Sequence, residues 1–198
     1  MFMWPCAPVL ARFIFLQRQL FKDKNILELG AGTALPGIVA AKIGANVTLT
    51  DTHKNPDCID LCKRNLTLNG LRFNDESENC VKVMHLTWGL FTKEVMELKP
   101  FDFIIASDCF YDINDFEDIL ATISFFIEKS VDRKAIFFTT YEERNADWNI
   151  QCLLKKWNLK CEYIEENEDS DSDSDKFSEE TSNVSYNHSI SLLKFWLQ

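Results

Sequence analysis

Apolar residues along this chain fall in short runs separated by longer segments of helical periodicity. The runs at 26–29, 47–50, 81–86, 102–106, 134–140, 160–164 and 189–196 predict seven strands. The early runs are apolar nearly throughout rather than alternating, as parallel strands covered on both faces should be. Helical patterns occupy 34–43, 56–68, 115–129 and 145–157, and Val9–Leu20 predicts an apolar lead-in helix closed by Lys22-Asp23-Lys24. Strand–helix alternation predicts right-handed crossovers and an α/β, doubly wound sheet. The last two strands have only an acidic tract between them, so they are expected to pair as an antiparallel hairpin at the sheet edge.

Glycine placement adds chemistry to this pattern. Asn25-Ile-Leu-Glu-Leu-Gly-Ala-Gly-Thr-Ala-Leu-Pro-Gly37 reads as strand, glycine turn and helix, and Asn46-Val-Thr-Leu-Thr-Asp51 as a second strand ending in an acid. Gly30 and Gly32 remove side chains where the backbone must turn and approach a ligand, and the amides of the next helix face that turn. Asp51 follows Gly30 by 21 residues, the spacing at which a carboxylate meets ribose hydroxyls. A dinucleotide site would want a third glycine where Leu35 stands. Acid-x-Gly-x-Gly, with Glu28 as the acid, suits a cofactor without a pyrophosphate, such as S-adenosyl-L-methionine. Its ammonium end wants acids and carbonyls nearby. The alternative is a Gly-rich strand–helix connection with no ligand; Glu28 before the turn and Asp51 after it favour the cofactor.

Sites on open parallel sheets lie beyond the carboxyl ends of the strands, near the switch in strand order. Four strand ends should therefore converge: Gly30–Gly32, Asp51, Leu86-Thr-Trp88-Gly89 and Ala106-Ser107-Asp108. Trp88 could lie against adenine or be an ordinary core tryptophan; Trp4, ahead of the lead-in helix, is ambiguous taken alone. Ser107-Asp108-Cys-Phe-Tyr111 falls where a methyl acceptor should sit. DNA amino-methylases carry Asn/Asp-Pro-Pro-Tyr/Phe there, and the missing prolines weigh against a base substrate. Asp108 could hold a cationic nitrogen while Tyr111 walls the channel. The alternative is that Asp108 caps the following segment, a task open equally to Asp112 and Asn114.

Composition narrows the class of protein. The chain has 198 residues, 46% of them hydrophobic, which suits a single domain spanning 1–198, with 1–24 as lead-in and 165–181 as a disordered acidic loop. No apolar run is long enough to span a bilayer, and the N-terminus lacks the basic region of a secretory signal. Seven cysteines without Cys-x-x-Cys read as reduced core thiols of a cytosolic or nuclear protein. Cys58 and Cys62 are one helical turn apart, but nothing nearby completes a metal site, so none is expected. Residues 165–180 hold nine acids against one lysine, or −8 of the total −10, leaving only −2 for the rest of the chain. With no basic stripe, a dedicated nucleic-acid binder is disfavoured. The tract is expected to be a solvated spacer. A sharper idea is that it attracts a basic protein or is phosphorylated at Ser170 or Ser172, each with an acid three residues on.

Trp4-Pro5, Glu28-Leu-Gly-Ala-Gly-Thr-Ala-Leu-Pro-Gly-Ile38, Leu49-Thr-Asp51, Leu86-Thr-Trp88-Gly89 and Asp108-Cys-Phe-Tyr111 together resemble family 16 of the methyltransferases. The resemblance runs from Met1 to about Trp157. It implies the seven-strand class I methyltransferase fold, S-adenosyl-L-methionine as cofactor, and a protein substrate modified on a basic side chain. It also implies that Trp4, Gly30, Ala31, Gly32, Asp51, Trp88 and Ser107 line the cofactor pocket, and that Asp108 and Tyr111 face the acceptor. The wider family points to lysine of specific proteins. The branch this chain resembles most points to histone arginine, with nuclear as well as cytoplasmic placement. Asp108, Glu142 and Glu143 are the acids available for a guanidinium. Many members carry β-structure ahead of the tryptophan at which this chain nearly begins, so the substrate-facing lip is expected to be either shorter or supplied by an accessory partner. The acidic hairpin is not a general family feature. Competing readings are a catalytically silent cofactor-binding module, a small-molecule N-methyltransferase and, given Leu35, least of all a nicotinamide oxidoreductase.

Overall fold

A computed structural model of the chain describes residues 2–54, 56–75, 80–144, 150–164 and 190–198. Seven strands form one sheet: β1 (Asn25–Glu28), β2 (Asn46–Asp51), β3 (Lys82–His85), β4 (Phe103–Ser107), β5 (Ile136–Glu142), β6 (Leu159–Tyr163) and β7 (Ile190–Leu197). Their order is β3-β2-β1-β4-β5-β7-β6. The first five pair in parallel, and β7 runs antiparallel to both β5 and β6. The expected hairpin is present, with the later strand placed inside. Burial explains the order, because β7 contributes Leu192, Leu193 and Phe195 to the core while Glu162 and Tyr163 of β6 are exposed.

Alternate residues of each central strand feed two separate cores, the consequence of the two-residue side-chain period. Ile26, Phe103, Ile105 and Phe138 face one side. There they meet α1 (Cys6–Leu16), α2 (Arg18–Phe21), α3 (Leu35–Lys42) and α4 (Pro56–Leu68). Leu27, Ile104, Ala106, Phe137 and Phe195 face the other, against α5 (Lys93–Met96) and α6 (Phe116–Lys129). Leu153 and Leu154 of α7 (Gln151–Lys156) close that side. Phe13, Phe21, Phe103 and Phe138 form an aromatic cluster on the first face, with ring centroids 4.9–5.9 Å apart.

Several boundaries shift from expectation. The lead-in helix starts three residues earlier than its periodicity suggests and breaks at Gln17, between α1 and α2. The four-residue α5 and the 3-10 turns at Ile113–Asp115 and Val131–Arg133 are too short to leave a periodic signal. The expected helix over 145–157 is seen only as α7, since 145–149 lie outside the described residues, as does the acidic tract. Among the described residues no helix is long and apolar enough to cross a membrane.

Candidate active site

Because the first five strands are parallel, their carboxyl ends open on one edge of the sheet. Strand order reverses at β1, flanked by β2 on one side and β4 on the other. The glycine turn after β1 lies at this switch point, where ligands of open α/β sheets bind. The turn has left-handed backbone at Gly30 (φ 62°), Gly32 (φ 52°) and Ala34 (φ 62°). The amide of Gly32 donates to Asp51 Oδ2 at 2.9 Å, and the amide of Thr52 to Asp51 Oδ1 at 2.8 Å. Both oxygens of Asp51 are thereby fixed, and each keeps acceptor capacity for a ribose hydroxyl. From below, α4 braces the same turn. Cys62 Sγ donates to the Gly32 carbonyl (3.4 Å) and Asn65 Nδ2 to the Thr33 carbonyl (2.9 Å).

Gly30 faces Trp88. A Cβ built on Gly30 would stand 3.1 Å from Trp88 Cζ2, so the indole packs close to the turn and leaves little room for a side chain there. The loop carrying Trp88 is pinned by the Gly89 amide, which donates to Thr122 Oγ1 of α6 at 2.9 Å. The ring of Tyr111 lies 6.4 Å from that of Trp88, tilted by 59°. Partial burial, then the carboxylates of Asp115, Asp51 and Asp112, raise the Tyr111 pKa, so its phenol keeps its proton.

Glu28 differs from the other expected cofactor residues. It is fully buried beneath the turn, and among the described residues no donor meets either carboxylate oxygen in good hydrogen-bond geometry, the Gly37 amide being near but not well aligned. Burial pushes its pKa up to about 8, aided by the Asp51 charge and opposed by the nearby Gly37 amide. A Cβ at Gly37 would lie 2.3 Å from Glu28 Oε2 and 2.3 Å from Leu49 Cδ2. Gly37 therefore performs the close helix–strand packing that the third glycine of a dinucleotide motif would supply, two positions after Leu35.

Asp108 follows β4 directly, with left-handed backbone (φ 57°) held by its amide donating to the Thr140 carbonyl at 2.8 Å. It does not cap the next segment: Asp112 does, accepting from the Asn114 amide at 2.9 Å. Instead the Asp108 carboxylate accepts two hydrogen bonds from Arg144, Nη1 to Oδ1 at 2.7 Å and Nη2 to Oδ2 at 2.5 Å. Carboxylate oxygens of Asp108 and Glu142 and the sulfur of Cys6 lie within 4.8 Å of one another, so two of the three acids expected for a guanidinium converge; Glu143 is exposed. The cation in this cluster is Arg144. Burial, then the Asp108 and Glu142 charges, push the Cys6 thiol up to about 12, which disfavours a thiolate metal ligand. Cys58 and Cys62 are likewise buried, and burial followed by the Asp51 charge pushes Cys58 up to about 11.

Ala31 is buried at the turn and Ser107, last residue of β4, is partly covered. Trp4 stands just ahead of α1, whose Cys6 carbonyl accepts from Thr140 Oγ1 at 2.9 Å, so it belongs to the same edge of the sheet. Its ring is 58% exposed and packs on Phe2. Arg144, Asn65 and Thr122 escaped sequence reasoning, and Gly37 was seen in the motif without its packing role. For Arg144 a signal existed, a cation directly after Glu142-Glu143 at the end of a strand.

A seven-strand sheet with this order, a glycine turn at its switch point and an acid closing the second strand define the class I S-adenosylmethionine-dependent methyltransferase fold. Solved structures agree at the level of fold. Precorrin-6y C5,15-methyltransferase from Geobacter metallireducens superposes with a TM-score of 0.62 at 13% identity, over 95% of this chain and 87% of that one. Magnesium protoporphyrin IX methyltransferase from Synechocystis, solved with bound S-adenosylmethionine, gives 0.59 at 11%, over 97% and 78%. A family model described as lysine methyltransferase matches residues 1–156, and the chain belongs to that family, methyltransferase family 16. Histone-arginine methyltransferase METTL23 of Xenopus laevis is 45% identical over 161 residues, 81% of this chain and 65% of its own length. The Homo sapiens protein of the same name is 43% identical over 164 residues, 83% and 82%. Calmodulin-lysine N-methyltransferase of Arabidopsis thaliana is 34% identical over 139 residues, 69% and 43%. The chain thus spans just under two thirds of the Xenopus relative.

Proposed function

We propose that this chain is an S-adenosylmethionine-dependent protein N-methyltransferase acting on a basic side chain, with arginine the favoured acceptor. The observation that carries the acceptor chemistry is the Asp108 carboxylate, 6% exposed, gripping a guanidinium in bidentate geometry at the carboxyl edge of β4. The relatives at 43–45% identity are named for histone arginine, which supports the same reading; the calmodulin-lysine relative keeps lysine as the second one. A histone acceptor would place the protein in the nucleus as well as the cytoplasm.

The residues at the turn fit the cofactor. Gly30 and Gly32 leave backbone open toward the ligand, Asp51 offers acceptors for the ribose hydroxyls, and Trp88 places its indole beside Gly30. Ala31, Ser107 and Trp4 complete the edge. Glu28 acts from beneath, through the turn, rather than by touching the ligand, since it has no exposed surface. When bound, S-adenosyl-L-methionine supplies an electrophilic methyl group on a sulfonium. Methyl transfer is an in-line displacement, so the protein contributes by positioning and desolvation. Asp108 and Glu142 orient and charge-match the acceptor nitrogen and stand ready to take its proton. Tyr111, protonated, forms the wall between Trp88 and the acceptor side.

Asp51→Ala tests the cofactor half of this reading. It removes a charged acceptor and frees the Gly32 and Thr52 amides. S-adenosylhomocysteine affinity measured by calorimetry should fall by about 10- to 100-fold. Unchanged affinity in a folded variant would remove Asp51 from the pocket.

A further inference from the structure

The Arg144–Asp108 pair is more than a surface bridge. Its two parallel hydrogen bonds match a planar guanidinium fork to a planar carboxylate, a geometry that a lysine ammonium does not reproduce. The Asp108 side chain is 5% exposed and that of Arg144 27%, so the acid is enclosed and the arginine reaches in from outside. A second carboxylate, Glu142, faces the same cluster, and both acids raise the Arg144 pKa.

As a structural clamp the pair would be redundant. Ser107 is already in register with Thr140, and the Asp108 amide already donates to the Thr140 carbonyl. Arg144 itself lies two residues past Glu142, the last residue of β5 paired with β7. Among the described residues its guanidinium also donates to the Glu142 carbonyl at 3.3 Å, and its backbone amide is a hydrogen-bonding partner of the Tyr141 phenol. Its side chain can therefore rotate away without breaking a rung of the sheet. Asp108, by contrast, is held with left-handed backbone, the kind of strain that persists where the surroundings fix a residue for use.

We propose that Arg144 is an internal occupant of the acceptor site, seated on Asp108 where a substrate arginine binds and displaced by it. This rests on the reading of Asp108 as the acceptor residue given above. Arg144 then sets the specificity of the site in two ways. It marks the pocket as complementary to a guanidinium, and it raises the threshold for entry, so an acceptor must bring additional contacts from its surrounding sequence to win. Apparent affinity for a bare arginine side chain is lowered by the fraction of molecules in which Arg144 has left Asp108.

The test is a titration of the full chain, without cofactor, using N-acetyl-arginine amide and N-acetyl-lysine amide as probes followed by NMR. If Arg144 occupies the site in 90–99% of molecules, Arg144→Ala should bind the arginine probe about 10- to 100-fold more tightly than wild type, with a far smaller change for the lysine probe. Adding Asp108→Asn to Arg144→Ala should abolish the gain. Equal or weaker arginine-probe binding in folded Arg144→Ala would overturn the proposal. Should that variant not fold, the Arg144 Nε–H resonance in wild type decides: it should move toward its free position as the arginine probe is added, and a resonance that stays put as the probe saturates overturns the proposal. Because the titration needs no cofactor, its outcome is separate from that of the methyltransferase reading, which fails if S-adenosylhomocysteine does not bind.

Discussion

At Glu28 a carboxyl group sits fully buried, with no well-formed hydrogen bond to either oxygen among the described residues. Such a group is destabilising when charged, and burial accordingly raises its pKa from 4.5 to about 8. The folded protein therefore holds the proton more tightly than the unfolded chain. Stability contributed by the protonated form is complete below about pH 4.5 and is lost as pH rises through about 8. Glu28→Gln keeps the shape and removes the titration. Its stability should be flatter between these values, and above pH 8 the variant should be more stable than wild type by a few kcal/mol, roughly. Urea unfolding at several pH values measures this; parallel pH profiles for the two proteins would show that Glu28 is solvated or paired. The motif made Glu28 visible, yet no sequence pattern could show that it is fully buried beneath the turn. That position follows from Gly37, whose missing side chain lets α3 settle onto β1 and β2.

Among the elements, the parallel strands and their helices were legible because burial on both faces leaves unbroken apolar runs. The insertion of β7 between β5 and β6 was not, since both antiparallel pairings satisfy the same local pattern and only the burial of Leu193 and Phe195 decides. Arg144 was missed for a related reason: a charged residue just beyond a strand has no periodic signature, and its partner is 36 residues away. The lead-in helices show what tertiary packing adds. Phe21, at the end of α2, is completely buried and meets Phe13, Phe103 and Phe138. It anchors the lead-in to the centre of the sheet, and α1 in turn ties its first turn to Thr140 beside Asp108. Phe21→Ala should destabilise the fold by about 3–5 kcal/mol, read from the denaturation midpoint at unchanged slope. A loss below about 1 kcal/mol would mean that α2 packs less intimately than these ring contacts indicate.

Over the whole molecule, charge and topology act at different places. The parallel sheet gathers the glycine turn, Asp51, Trp88 and Asp108 at one edge, although they are spread over 79 positions of sequence from Gly30 to Asp108. The acidic tract at 165–180, expected to be a solvated spacer, lies outside the described residues. Methyl transfer from this edge to a basic protein side chain is the activity proposed for the protein. The most direct measurement is transfer of labelled methyl from S-adenosylmethionine to core histones, wild type beside Asp108→Ala, with the labelled residue identified by mass spectrometry. Label should appear on histone arginine and fall at least about 100-fold in the variant, as expected for loss of a charged group that positions the acceptor, while cofactor affinity stays near wild type. Equal labelling by both proteins, or no labelling by a wild type that binds the cofactor and is offered basic protein acceptors, would contradict the proposed activity.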